Sequence, residues 1–189
     1  TLMKVLAGAN PGYTGEVLLD DQVVELRTPI DAKKLGVQIV YQEVDTSLVP
    51  TLSVAENIMI NEMVMSGGVG MNWKKTREEA KKALSRLNIK DIDVNTLVQN
   101  LSLAQKQMVL IARAIRMECN FLILDEPTAP LSASETKELF EVVRLLRDTE
   151  NLAVIFISHR LNEILEICEK YTVMRNGQLV DNTPITKET

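Results

Sequence analysis

Two short apolar runs in this 189-residue chain end in groups that can handle protons and metal ions. Phe121, Leu122, Ile123 and Leu124 are followed by Asp125 and Glu126. Ala153, Val154, Ile155, Phe156 and Ile157 are followed by Ser158 and His159, the only histidine. Unbroken apolar runs of this length read as strands buried on both faces. With a helical stretch between them they form a βαβ unit, which implies adjacent parallel strands and a right-handed crossover. Such sheets place their ligands past the carboxyl ends of the strands, where Asp125, Glu126 and His159 all fall. Neighbouring side chains on a strand point opposite ways, so the two carboxylates are free to do different work. One can hold a hydrated Mg²⁺ while the other polarises a water, and His159 then meets a transferred phosphoryl group. An isolated Asp-Glu pair more often caps a turn, and a lone histidine more often sits idle on the surface. The preceding apolar run, the following Pro127-Thr128 and the histidine at the next strand end together favour the chemical reading.

The remaining elements must hold those groups in place. Residues 2–8 read as a helix stopping at Gly8, with no capping sequence ahead of it beyond Thr1 as a candidate. Residues 16–26 alternate around Asp20-Asp21 as a hairpin, and residues 37–41 form a β-branched strand. Ser53 and Glu56 make a capping box that opens a helix. Residues 73–87 carry Lys and Glu on one side and Ala80, Ala83, Leu84 and Leu87 on the other, with 67–70 as a glycine-rich connector. Ser102 and Gln105 form a second capping box, followed by Met108, Ile111, Ala112 and Ile115 at helical spacing. Ser132 and Glu135 cap a helix that turns Leu139, Val142, Val143 and Leu146 inward. Residues 171–175 and 178–181 flank Asn176-Gly177, the strongest short hairpin signal.

Composition removes several alternatives. Twenty-one basic and 26 acidic residues leave a net charge of −5, which argues against a nucleic-acid footprint. Hydrophobic residues at 46% suffice for a full core, and no apolar run approaches the roughly 20 residues of a membrane span. No secretory leader is visible. Cys119 and Cys168 suit free thiols in small core positions better than a disulfide framework.

Taken together the motifs resemble the ATP-binding domain of ABC transporters. Residues 121–129, Phe-Leu-Ile-Leu-Asp-Glu-Pro-Thr-Ala, are similar to the Walker B segment. Residues 101–108, Leu-Ser-Leu-Ala-Gln-Lys-Gln-Met, resemble the signature in its sugar-importer form, in which the two glycines of the common Leu-Ser-Gly-Gly-Gln are replaced. Tyr41-Gln42-Glu43 resembles the Q-loop, residues 49–58 the stretch after it, and residues 157–160 the H-loop. The likeness runs nearly end to end, in family order, and is closest to the first nucleotide-binding domain of ribose/galactose/xylose-type importers, whose ATPase subunit fuses two such domains. It implies an α/β fold: a P-loop NTPase core with a parallel sheet, an antiparallel β subdomain and a helical subdomain, truncated at its N-terminus. Residues 1–51 would form the β subdomain and part of the core, 52–118 the helical signature subdomain, and 119–189 the core with Walker B and H-loop.

The same resemblance implies roles. Gln42 would contact Mg²⁺ and the attacking water and sense membrane subunits. Asp125 would hold Mg²⁺ through water, Glu126 would be the general base, and His159 would contact the γ-phosphate. Ser102, Ala104 and Gln105 would engage ATP bound to the opposite domain of a head-to-tail pair. Ser102 suits that task physically, because a helix N-terminus offers unpaired N–H groups to phosphate. A pure capping box explains Ser102 and Gln105 equally, and both can hold at once. The implied cofactors are ATP and Mg²⁺. The implied partners are transmembrane permease subunits, a second nucleotide-binding domain (fused or homodimeric) and, indirectly, a periplasmic or extracellular sugar-binding protein, on the cytoplasmic face of the membrane and without nucleic acid. Met59, Met63 and Met65 can either adapt to such a partner or fill the subdomain core.

The chain also departs from the family pattern. None of its eight glycines precedes a lysine, so the phosphate-cradling Gly-x-x-x-x-Gly-Lys-[Ser/Thr] loop is missing. In the family, residues 2–8 follow that loop directly, which makes Thr1 the residue just past its end and a nucleotide contact. That nest and its lysine carry most of the β/γ-phosphate binding. The isolated chain is therefore expected to bind ATP weakly and hydrolyse it negligibly, with a longer parent as the active form. Ala129, Pro130, Leu131 and Ser132 stand where many relatives carry an aspartate between domains, which puts coupling of two ATP sites in doubt. A non-catalytic, partner-binding domain is a competing reading, disfavoured by the presence of Asp125, Glu126 and His159 together. An ABC protein acting on DNA or ribosomes is disfavoured by the acidic balance.

Overall fold

The computed structural model describes residues 2–65, 72–117 and 119–185, without the side chains of Val64 and Met65. Thr1 and the connector at 67–70 lie outside the described residues. The chain opens on helix α1 (Leu2–Leu6), hairpin strands β1 (Val17–Leu19) and β2 (Gln22–Val24), helix α2 (Pro29–Lys34) and strand β3 (Val37–Val40). Helices α3 (Val44–Ser47), α4 (Val54–Met65), α5 (Trp73–Arg86) and α6 (Leu103–Arg116) follow, then strand β4 (Phe121–Asp125), helix α7 (Ala133–Glu150), strand β5 (Ala153–Ile157) and helix α8 (Leu161–Ile167). Strands β6 (Lys170–Arg175) and β7 (Gln178–Pro184) close the order.

Strands β3, β4 and β5 form a parallel sheet in that order, with β4 in the middle. Leu122, Ile123 and Leu124 have no exposed surface. They alternate between the two faces, so both sides of β4 are covered, as its unbroken apolar run requires. Strand β5 corrects an expectation: Ala153 is exposed and Val154 to Ile157 are only half-buried. β5 is an edge of this sheet, and among the described residues no strand pairs with its outer side. Strands β6 and β7 pair with each other instead, antiparallel.

Local chemistry accounts for the elements. Capping boxes open α6 at Ser102 with Gln105 and α7 at Ser132 with Glu135, each satisfying two otherwise unpaired backbone donors. Ser53 and Glu56 do the same for α4. Helix α2 was not foreseen, although Thr28 and Asp31 form a capping box with Pro29 at its first turn. Helix α8 was not foreseen either. In the hairpin turns both central residues have positive φ: 50° and 62° at Asp20 and Asp21, 51° and 77° at Asn176 and Gly177. That is the twist a two-residue hairpin demands.

The inward faces of α4, α5 and α6 share one core with the sheet. Ile58, Ala80, Leu84, Met108, Ile111 and Ile115 pack in the same cluster as Leu122, Leu124, Leu139 and Leu146. Of the two readings of the methionines, the core one holds where side chains are described: Met59 is buried and Met63 packs against the cluster. The side chain of Met65 lies outside the described residues. Cys119 and Cys168 are free, and burial pushes both thiols up, Cys119 to about 11.

Gly8 sits where α1 stops, at φ +68°, and a Cβ there would collide with the Thr28 carbonyl ahead of α2. Gly8→Ala is therefore expected to destabilise the chain by more than about 1 kcal/mol, read as a lowered urea midpoint. An unchanged midpoint would show that the α1–α2 contact gives way freely.

Candidate functional site

Register builds the site. Val40 pairs with Leu124, and Asp125 with Ile157. Continuing each strand, Gln42 comes level with Glu126, and Glu126 with Ser158, next to His159. The Glu126 N–H donates to the Ile157 carbonyl at 3.0 Å, so the β4–β5 ladder runs one bond past the strand end. Glu126 itself has φ 47°, a left-handed conformation that costs a non-glycine residue and gathers at functional sites.

The Glu126 carboxylate stands between two partners. Gln42 Nε2 donates to Oε2 at 3.2 Å, and His159 Nδ1 lies 3.4 Å from Oε1. The imidazole is 68% exposed and the carboxylate 30%, so the group opens to solvent and to any bound substrate. Among the described residues the Asp125 side chain makes no hydrogen bond, and its charge acts on Tyr41, whose hydroxyl burial and then Asp125 push above its ordinary value. Among the described residues no group of three or more His, Cys, Asp or Glu side chains could hold a metal by itself.

The sequence-expected residues are thus partly brought together. Gln42 and His159 each touch Glu126, and Asp125 adjoins Glu126 in sequence. Ser102 and Gln105 bond to one another across the start of α6, at 3.1 and 3.2 Å, and Ala104 is buried behind them. Among the described residues neither Ser102 nor Gln105 bonds to the Gln42–Glu126–His159 group. Helix α6 is nonetheless tied to the segment after Gln42. Lys106 pairs with Asp45 at 2.7 Å, and Arg113 donates to the Ser47 carbonyl at 2.8 Å. Thr1 lies outside the described residues.

One member of the neighbourhood was missed. Glu163, on α8 and 8% exposed, accepts hydrogen bonds from Thr128 Oγ1 and Ser158 Oγ, both at 2.7 Å, and from Arg160 at 3.0 Å. Burial pushes its carboxyl up, but the two hydroxyls and the guanidinium outweigh burial, leaving it below the ordinary glutamate value of 4.5. A lowered native pKa stabilises the fold fully above the unfolded value, and that contribution is lost as pH falls through the native one. The stability gap between wild type and Glu163→Gln, from urea unfolding at a series of pH values, is expected to be widest at neutral pH and to close on acidification. A gap constant across the acid range contradicts this.

A family model described as ABC transporter matches residues 1–129, more than half of the chain. The chain belongs to the ABC transporter family. The ribose import ATP-binding protein RbsA of Caldanaerobacter subterraneus subsp. tengcongensis is 42% identical over 189 residues, 100% of this chain and 37% of that protein. The fructose import ATP-binding protein FruK of Bifidobacterium longum is 39% identical, over 100% of this chain and 36% of that protein. The chain thus spans little more than a third of the length of these curated relatives. Among solved structures, CbiO1 from Clostridium perfringens, part of an ABC transporter complex, aligns with a TM-score of 0.80 at 24% identity, over 97% of this chain and 71% of that one. A dimeric ATP-binding cassette in a post-hydrolysis state with ADP and Pi aligns at 0.78 and 19% identity, over 98% and 79%. These likenesses show the fold, which is the ABC cassette: a parallel sheet with helices and accessory antiparallel strands.

Proposed function

We propose that this ABC chain is the ATP-binding and ATP-hydrolysing component of a sugar importer. The observation that carries this is the Glu126 carboxylate held between the Gln42 amide and the His159 imidazole at the ends of adjacent parallel strands. Glu126 is the general base, taking a proton from a water that attacks the γ-phosphorus while the bond to the β-phosphate oxygen breaks and ADP leaves. Gln42 orients Glu126 through the 3.2 Å hydrogen bond and meets the same water. His159 faces the departing phosphoryl group from the other side of the carboxylate. Mg²⁺, when bound, neutralises phosphate charge; Asp125 through water and Gln42 are the side chains that would hold it.

Ser102, Ala104 and Gln105 present the N-terminus of α6 to ATP held by a second nucleotide-binding domain. The Lys106–Asp45 and Arg113–Ser47 ties give a physical route between α6 and the segment after Gln42. Residues 52–118 act as the helical subdomain that docks on permease subunits at the cytoplasmic face of a membrane. No helix among the described residues is long and apolar enough to cross one. The relatives' names support a sugar as cargo, with an external sugar-binding protein upstream.

Phosphate release from MgATP by the full gene product tests the reading. Steady turnover that depends on Gln42, Glu126 and His159 supports it, and turnover indifferent to all three overturns it.

A further inference from the structure

The His159 side chain is 68% exposed, and among the described residues its one contact is the 3.4 Å approach to Glu126. An imidazole that free is aimed by its backbone. Both flanking residues are tied down by one buried carboxylate. Ser158, just before His159, donates its hydroxyl to Glu163 and accepts the Arg160 N–H at 3.0 Å. Arg160, just after His159, donates its guanidinium to the same carboxylate. The third donor to Glu163 is Thr128, two residues past Glu126. One side chain on α8 therefore fastens the segment carrying Glu126 and the segment carrying His159 to each other.

A buried carboxylate is a poor device for stability alone, since well-packed apolar replacements of buried ionic groups are often neutral or stabilising. What it supplies here is direction: three donors from two segments converge on its two oxygens. We infer that Glu163 is the positioning residue that sets the His159 imidazole against the Glu126 carboxylate. This rests on the reading of those two residues as part of a hydrolytic site.

Histidine-selective isotope labelling of the full gene product, with His159 assigned as the signal that His159→Gln removes, reads the resonances of this imidazole. In a folded Glu163→Ala variant those resonances are expected to move or broaden. Glu166→Ala, which removes an exposed carboxylate from the same helix, is expected to leave them in place. Thr128→Val and Ser158→Ala each delete one hydroxyl while keeping the carboxylate, and should produce smaller changes. They decide the matter if Glu163→Ala fails to fold. In the full gene product, Glu163→Ala is expected to lower kcat about tenfold with KM for MgATP unchanged, the mark of lost alignment rather than lost binding. Glu163→Gln, which keeps an oxygen acceptor, should restore part of the rate. An imidazole spectrum identical to wild type, or an unaltered kcat, in the folded variants overturns the inference while the hydrolase reading stands. A wild-type protein without ATP turnover overturns the hydrolase reading, and the spectra still decide whether Glu163 aims His159.

Discussion

Glu126→Gln in the full gene product is expected to lower ATP turnover by about 10²- to 10⁴-fold, the range a positioned general base supplies. The amide is nearly isosteric with the carboxylate, so the left-handed turn at residue 126 and the main-chain bond to Ile157 should survive. What disappears is the basic oxygen that takes a proton from water. Because the lost interaction belongs to the transition state, kcat and kcat/KM should fall together, and bound MgATP should persist rather than dissociate. Single-turnover phosphate release beside nucleotide retention on a filter separates the two. Unaltered turnover would remove Glu126 from the role of base and leave the Gln42–Glu126–His159 contact as a structural polar cluster.

Phe140→Ala should cost about 3–5 kcal/mol of folding stability, a large share of the roughly 5–15 kcal/mol of a typical domain. Phe140 is 1% exposed on the inward face of α7. Its ring meets that of Phe156 edge-on, at 5.8 Å and 74°, and the Arg144 guanidinium lies 6.0 Å from its centroid. Phe156 belongs to β5, the strand that delivers His159. β5 is held by its ladder to β4 and by Val154 and Phe156 packed against the core, and the Phe140 ring is one of the groups that Phe156 meets. Truncation at Phe140 should therefore loosen β5 before β4. Urea unfolding gives the total loss, and hydrogen exchange along β5 against β4 gives its location. Ile30→Ala, at an exposed position, is the control and should stay within about 0.5 kcal/mol. A Phe140→Ala midpoint as high as that of the control would mean that the cavity closes completely.

The two predictions rest on parts of the chain that differ in how plainly they could be read. Strand β4, the capped starts of α4, α6 and α7 and both hairpins are carried by residues within a few positions of one another: an apolar run, a Ser with Glu or Gln three places on, an Asn-Gly. Their physics is local, so order and type of residue suffice. Helix α2 had equally local signals in Thr28, Pro29 and Asp31 and was overlooked. Helix α8 had weaker ones, since Arg160 makes no side-chain cap.

The half-burial of β5 could not be read in this way. Its apolar composition matches a strand covered on both sides, but covering depends on which neighbours the sheet provides. The Glu163 cluster is of the same kind, because Thr128 and Ser158 lie 30 residues apart and converge only after β4 and β5 pair.

Chemical identity at the strand ends was therefore present in the linear order: two carboxylates, one imidazole, one glutamine, each just past an apolar run. Their meeting was not. It depends on parallel register bringing Gln42, Glu126 and Ser158 level, and on the Glu163 carboxylate, four residues past His159, reaching across to Thr128 beside Glu126. Those are long-range pairings, whose energy comes from contacts between segments far apart in the chain, and no local pattern encodes them.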